Sequence, residues 1–444
     1  MADDLLGEFL RQVSRSFYLS LRILPRGVRE PLGLAYLLAR AADTVADTRL
    51  IARAERLDHL ETLRVAFRGA SADLSAVARA TAPHQTLAAE RRLLERVGDA
   101  VTRVRALPAA DRHAVAAVLD TLTSGMVFDL TRFPGEDPRA LAALETLDEL
   151  DHYTYLVAGC VGPFWTTVHV AHRPRLRGWD VANRSAQAIA FGKALQMTNV
   201  LRDVAGDVAH GRCYVPAREL AAIGVRPVDL REPAWRQRAR ALYDRLLAHA
   251  LTHYDQGWSY TLAIPVPEWR MRLACVWPLS IGLGTLGALA AHPDPMGPPS
   301  PIKISRAEVR RLLARSSLVA WSNRGLALLR DRLLRETTPG QRGHHAIAGL
   351  EARHAGPTAR HNPRRLESRA EGERRSRLIL SRHHEGIRIV DGSGAHFDED
   401  LVGGRCGSWH VLDGEVLHGS PGATDHGTHR APPERSGLRR CSIA

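Results

Sequence analysis

The sequence predicts an all-α protein, on three observations. Apolar residues recur at helical spacing near the N-terminus, as at Leu6, Leu10, Val13 and Phe17. Residues 32–47 (LGLAYLLARAADTVAD) are apolar nearly all round, which is typical of a buried helix. The alternation that marks strands is nearly absent. We therefore expect one all-α domain over residues 1–338.

Further helical patterns follow in order, separated by clusters of proline and glycine at 133–138, 213–228 and 292–301. The first predicted helix precedes Pro25, and the second is the buried helix above. The others cover approximately residues 53–69, 84–106, 110–130, 138–171, 185–209, 232–254, 269–291 and 305–336.

The composition changes at about Pro339. Residues 339–444 contain 11 of the 21 histidines, no lysine, many glycines, arginines and prolines, and no sustained helical period. A segment of this composition buries too little apolar surface to offset its chain entropy. We expect a mostly disordered C-terminal tail of low complexity.

The chain of 444 residues has a formal net charge of +13, carried by arginine because Lys193 and Lys303 are its only lysines. Such a charge suits an anionic membrane surface or a phosphorylated substrate; without an RNA-binding motif we expect no nucleic-acid partner. Five scattered cysteines indicate a reducing compartment. The acidic N-terminus and the lack of an 18-residue apolar run predict a cytoplasmic protein without signal peptide or transmembrane helix.

The predicted buried helix carries one polar stripe. Its members are spaced by 4, 3 and 4 residues and so share one helical face: Tyr36, Arg40, Asp43 and Asp47. Two carboxylates on a buried face are costly unless a cation neutralises them. This stripe, called the first stripe below, must point into a hydrated cavity or at a partner charge.

A second stripe lies in FGKALQMTNVLRDVAGD, with spacings of 3, 4 and 4: Gln196, Asn199, Asp203 and Asp207. Arg202 lies beside it. Amide and carboxylate oxygens suit Mg²⁺, whereas arginine suits the oxygens of a phosphate. The two stripes therefore predict the facing walls of a site for Mg²⁺ and a diphosphate.

A plainer interpretation remains open. The same residues can form internal salt bridges, Arg40 with Asp43 and Arg202 with Asp203, and hold no ligand. Arg212, in the turn HGRCYVP, can contact a diphosphate or only cap a helix end.

Several motifs together resemble the squalene/phytoene synthase family over residues 10–335. They are SRSFY at 14–18, AYLLARAADTVADT, YTYLVAGCVG at 153–162, FGKALQMTNVLRDVAGD, GRCYVP and PIKISRAEV at 301–309. The resemblance implies the class I isoprenoid synthase fold, a helical bundle around a central cavity. The sequence departs from the family at Gly206, where the second motif often has a glutamate.

The resemblance also implies roles for individual residues. Mg²⁺ is expected at Asp43, Asp47, Asn199, Asp203 and Asp207, and diphosphate at Arg40, Arg202 and Arg212. Ser14, Arg15 and Phe17 match the segment that covers the substrate, with Gln196 among the substrate-binding residues. Tyr36 and Tyr153 match cavity tyrosines, and Lys303 and Arg306 match positions near the phosphates of NADPH.

The implied reaction is a head-to-head condensation of two farnesyl diphosphates through a cyclopropylcarbinyl diphosphate, reduced by NADPH to squalene. Phytoene from two geranylgeranyl diphosphates, or dehydrosqualene, is the alternative and needs no reductant. A non-catalytic scaffold protein of the same fold is a distant alternative. Because the hydrocarbon product must enter a membrane, we expect the protein to contact the membrane peripherally. We also expect it to be a monomer.

Overall fold

The computed structural model describes residues 5–14, 17–135, 138–297 and 301–337, and helices dominate this part of the chain. The helices are α1 (Glu8–Ser14), α2 (Phe17–Ile23), α3 (Arg26–Asp47), α4 (Arg53–Phe67), α5 (Leu74–Thr81), α6 (Ala88–Glu95), α7 (Val97–Arg105), α8 (Ala109–Arg132), α9 (Leu147–Thr154), α10 (Val161–His172), α11 (Val181–Arg202), α12 (Val204–Ala209), α13 (Ala217–Ala221), α14 (Pro233–Ala263), α15 (Trp269–Ala291), α16 (Arg306–Val319) and α17 (Asn323–Arg335). Short 3₁₀ turns cover Ala82–His84, Pro138–Ala140, Pro174–Leu176, Pro227–Arg231 and Val266–Glu268. The predicted all-α class is confirmed, whereas the predicted tail lies outside the described residues.

The prediction of one continuous helix over residues 138–171 is wrong. Two-residue strands, β1 (Ala142–Ala143) and β2 (Arg212–Cys213), pair in parallel there. A π-helical turn, Tyr155–Gly159, then separates α9 from α10, with the Cys160 amide donating to the Tyr155 carbonyl at 2.8 Å. Local periodicity could not reveal this arrangement, because β1 pairs with a segment 70 residues away.

Two hydrophobic cores organise the described residues. One contains most of α3 together with buried residues of α4, α7, α8 and α10. The other contains the second half of α11 and much of α14 and α15. Helix α10 packs against both α3 and α11, so the helices that carry the two stripes share a neighbour.

Glycine allows the close approach of α11 to α10 and the π-helical turn. A Cβ on Gly162 would lie 2.3 Å from the backbone carbon of Ala188, and one on Gly192 would lie 2.4 Å from the Ala158 carbonyl oxygen. Because both obstacles are backbone atoms, a larger residue requires the helices to move apart.

We expect Gly162→Ala to lower the free energy of unfolding by about 1–3 kcal/mol, because the added methyl forces this helix contact open. Gly98→Ala is the matched control: Gly98 lies in α7, where an added Cβ meets nothing within 4 Å. In that control the free energy of unfolding should rise by about 0.5–1 kcal/mol, because alanine has the higher helix propensity. Urea denaturation measures both, and equal effects at the two positions would refute the close-contact explanation.

Two helical segments are long and apolar enough to cross a membrane by length and composition alone. They are Ala109–Arg132 and Val266–Ala291. In the most apolar 18 residues of each segment, 50% and 89% of the residues, respectively, are buried within the protein. Such burial is typical of core helices, so these segments are weak evidence for a membrane span.

Candidate active site

The first stripe lies on α3, and three of its four side chains are buried. Arg40 is 7% exposed and Asp43 is 1% exposed, while Tyr36 is also buried and Asp47 is half-buried. The Arg40 guanidinium donates to Asp43 Oδ2 from Nη1 at 2.8 Å and to Glu90 Oε1 from Nη2 at 2.6 Å. Glu90, on α6, was not predicted from the sequence.

These contacts decide the charge state of Arg40. Burial by itself lowers the pKa of the guanidinium, but Asp43, Tyr36 and Glu90 raise it, and the net pKa lies above the ordinary value for arginine. Arg40 is therefore a permanent buried cation that offsets the negative charge of the first stripe.

The second stripe is interrupted at its first aspartate. Helix α11 ends at Arg202, Asp203 has φ −102° and ψ 9°, and α12 begins at Val204. The continuous helix expected over 185–209 is therefore wrong at Asp203, in a segment where Asp and Gly206 both have low helix propensity. The Asp207 amide still donates to the Asp203 carbonyl at 2.8 Å, so the helical spacing of the two aspartates is kept.

Arg202 binds Asp203 through two hydrogen bonds, Nε to Oδ1 at 3.0 Å and Nη2 to Oδ2 at 2.6 Å. Burial lowers the pKa of Arg202, whereas the charge and hydrogen bonds of Asp203 and the charge of Asp207 raise it, and the net shift is upward. Both salt bridges of the plainer interpretation are thus present. They place one cation beside each aspartate pair, Arg40 buried and Arg202 partly buried, which a diphosphate site also requires.

Tyr153 lies beside the second stripe. Gln196 Nε2 donates to the Tyr153 hydroxyl at 3.5 Å, and Asn199 Nδ2 donates to Gln196 Oε1 at 3.3 Å. The Tyr153 ring is fully buried and stacks on Tyr214, with ring centroids 4.8 Å apart. The structure therefore brings the expected cavity tyrosine together with the two amides of the stripe.

Arg212 forms a buried ion pair with Asp129 of α8, with Nη1 2.6 Å from Oδ2. The other carboxylate oxygen of Asp129 accepts a 2.6 Å hydrogen bond from the Tyr214 hydroxyl. Burial, together with the nearby Asp129 and Tyr153, raises the pKa of Tyr214 well above its ordinary value, so Tyr214 stays a donor.

Asp129 was missed by the sequence reasoning, although a signal existed. It is an acidic residue within the otherwise apolar stretch MVFDL of α8. Its carboxylate is fully buried, and it fixes the segment that follows α12. Because α8 also packs against α3, Asp129 links a neighbour of the first stripe to the segment that follows the second.

For the remaining predicted residues, no contact with the two stripes is described. Ser14 ends α1 and Phe17 begins α2, whereas Arg15 lies outside the described residues. Lys303 is only 3% exposed, and Arg306, the first residue of α16, is exposed. These two cations therefore do not form one exposed surface for the phosphates of a dinucleotide.

A second group of residues of the types that bind metals lies on α9 and α14. The ligand atoms of Asp151, His249 and His253 are within 4.8 Å of one another. Burial lowers the pKa of His253 to about 4. However, the Lys193 ammonium binds both oxygens of Asp151 at 2.7 and 2.6 Å. Because this ammonium already neutralises Asp151, we interpret the group as a structural ion pair flanked by neutral histidines.

The donor atoms of the two stripes fit Mg²⁺. They are the carboxylate oxygens of Asp43, Asp47, Asp203 and Asp207 and the amide oxygen of Asn199. All are hard oxygen donors, the type Mg²⁺ selects, and Asn199 uses its amide nitrogen toward Gln196.

Comparison with known proteins identifies a matching family. Residues 10–311 match the squalene/phytoene synthase family model. The squalene synthase of Schizosaccharomyces pombe is 24% identical over 65% of this chain and 59% of its own length. The phytoene synthase of Arthrospira platensis is 28% identical over 59% of this chain and 80% of its own length. The presqualene diphosphate synthase of Rhodopseudomonas palustris is 28% identical over 54% of this chain and 71% of its own length.

The fold is also found among solved structures. A ligand complex of TcSQS superposes with a TM-score of 0.60 and 23% identity, covering 75% of this chain and 92% of that chain. The match to the family model, together with this fold, shows that the chain belongs to the squalene/phytoene synthase family, whose members are prenyltransferases.

Proposed function

We propose that this protein catalyses a Mg²⁺-dependent head-to-head condensation of two prenyl diphosphates. The observation that carries this proposal is the pairing of an arginine with each aspartate stripe: Arg40 with Asp43, and Arg202 with Asp203. Two sets of carboxylates and guanidinium groups suit a metal–diphosphate complex, since the carboxylates bind the metal and arginine binds phosphate oxygens. When bound, Mg²⁺ would neutralise the departing diphosphate.

The side chains around the stripes would protect the cation formed as the first allylic carbon–oxygen bond breaks. The apolar faces of α3 and α11 would exclude water, and the rings of Tyr36 and Tyr153 would offer cation–π stabilisation. Tyr153 is held for this role by Gln196 on one side and by the stacked Tyr214 on the other.

The second prenyl diphosphate would attack the cation through its double bond, and loss of a proton would give a cyclopropylcarbinyl diphosphate. Departure of its diphosphate and rearrangement would join the two chains head to head. Arg40, Arg202 and Arg212 would hold the departing diphosphate, each having its guanidinium oriented by a carboxylate.

For the product, we propose squalene from two farnesyl diphosphates. DTVAD, FGKALQ and residues 303–306 (KISR) support this choice because they look more like squalene synthases than phytoene synthases. Phytoene or dehydrosqualene remains the alternative. Lys303 is buried, whereas Arg306, the other residue of the expected NADPH pair, is exposed.

The test is a product assay of the full chain with farnesyl or geranylgeranyl diphosphate in Mg²⁺ buffer, with and without NADPH. Squalene formed only with NADPH would support the proposed product. Phytoene or dehydrosqualene formed without NADPH would support the alternative. Accumulation of the cyclopropylcarbinyl diphosphate would show condensation without reduction, and no condensation by folded protein would favour the scaffold interpretation.

A further inference from the structure

Large apolar side chains are exposed near the junction of α16 and α17. Leu318 is 80% exposed, Trp321 is 55% exposed and Leu328 is 58% exposed. Arg324 and Leu328 are four residues apart on α17 and share one of its faces, Arg324 is exposed as well, and Trp321 lies in the turn just before that helix. The exposed surface of Leu318, Trp321, Arg324 and Leu328 is called the α16–α17 patch below.

The patch is anchored to the body of the protein. The Trp321 ring packs on Trp269 at the start of α15, with centroids 4.9 Å apart. The Arg270 guanidinium lies 5.2 Å from the centroid of the Trp269 ring. Arg272 donates a hydrogen bond to Asn323, the first residue of α17. Trp321 is therefore held at the surface while more than half exposed.

The charge around the patch is positive. Between residues 306 and 336 the sequence contains eight arginines and three acidic residues. Each of the three acids pairs with an arginine: Glu308 with Arg311, Asp331 with Arg330, and Glu336 with Arg332. The excess positive charge of these two helices is thus not balanced within them, and it complements an anionic partner.

We propose that the α16–α17 patch docks on an anionic lipid bilayer. Tryptophan prefers the boundary between hydrocarbon and water, leucine inserts into the acyl region, and arginine attracts acidic headgroups. The patch has all three components within eleven residues of the chain, on a helix pair with excess positive charge. The inference rests on this surface and not on the proposed reaction, although an apolar product would enter the membrane from such a position.

The test is flotation of the full chain with vesicles of phosphatidylcholine containing phosphatidylserine, and with vesicles of phosphatidylcholine alone. The wild-type protein should float with the anionic vesicles and much less with the neutral ones, and salt should weaken its binding. The double variant Leu318→Ser/Trp321→Ala should lose roughly tenfold or more in partition coefficient, because two inserting side chains are removed.

Leu87→Ser is the matched control, since Leu87 is an exposed leucine far from this patch in sequence, just before α6. It should float as the wild type does. Circular dichroism of each variant verifies the fold. Flotation unchanged in the double variant would overturn the proposal. So would a change in oligomeric state with unchanged flotation, because the patch would then be a contact between copies of the chain.

Discussion

Asp43→Asn and Asp203→Asn, made separately, should each lower turnover by about a hundredfold or more. Each change removes one negative charge from the donor set proposed for Mg²⁺, so the leaving diphosphate loses stabilisation in the transition state. Asparagine nearly conserves the volume of each side chain. Turnover of prenyl diphosphate at saturating substrate measures the effect.

Asp99→Asn is a close control for Asp43→Asn. Asp99 pairs with Arg96 at the same i,i+3 spacing as Asp43 with Arg40, but its side chain is 57% exposed. It should keep wild-type turnover. If Asp43→Asn and Asp203→Asn retain full activity while folded, the aspartates act only as internal salt bridges, and the metal-binding role is wrong.

Asp129→Ala should lower the free energy of unfolding by about 3–5 kcal/mol. The substitution removes the carboxylate of a buried ion pair with Arg212, and removing one member of a buried ion pair is strongly destabilising. Urea denaturation monitored by circular dichroism measures the change.

Tyr214→Phe separates the two contacts of Asp129. It removes the hydrogen bond to the carboxylate but keeps the ion pair with Arg212, so its cost should be smaller, about 1.5–3 kcal/mol. The double variant Asp129→Leu/Arg212→Met should recover much of the stability lost in Asp129→Ala, since it removes both charges. A cost below about 1 kcal/mol for Asp129→Ala would contradict the burial argument.

The two stripes could be predicted because they depend on local spacing. Arg40 and Asp43 are three residues apart on a helix, so their contact follows from helical geometry, whereas Arg202 simply adjoins Asp203 in the sequence. The helical class and the bounds of α15 were predictable for a similar reason: each is encoded in a short, strongly patterned segment.

Contacts between distant segments could not be predicted in this way. Glu90 reaches Arg40 across 50 residues, and Tyr214 reaches Asp129 across 85. The β1–β2 pair and the π-helical turn likewise depend on tertiary packing, which single-sequence periodicity does not encode. The burial of Lys303 could not be predicted either, because the sequence around a single lysine does not show whether its side chain is buried.

The most direct test of the account asks whether the two stripes form one site. Calorimetric titration of inorganic pyrophosphate with Mg²⁺ into wild type, Asp43→Asn, Asp203→Asn and the double variant measures their coupling. If both stripes hold one metal–diphosphate complex, each single variant should lose most of the Mg²⁺-dependent affinity, and the double variant should lose little more. Additive losses would mean that the stripes act independently, and would contradict the central claim.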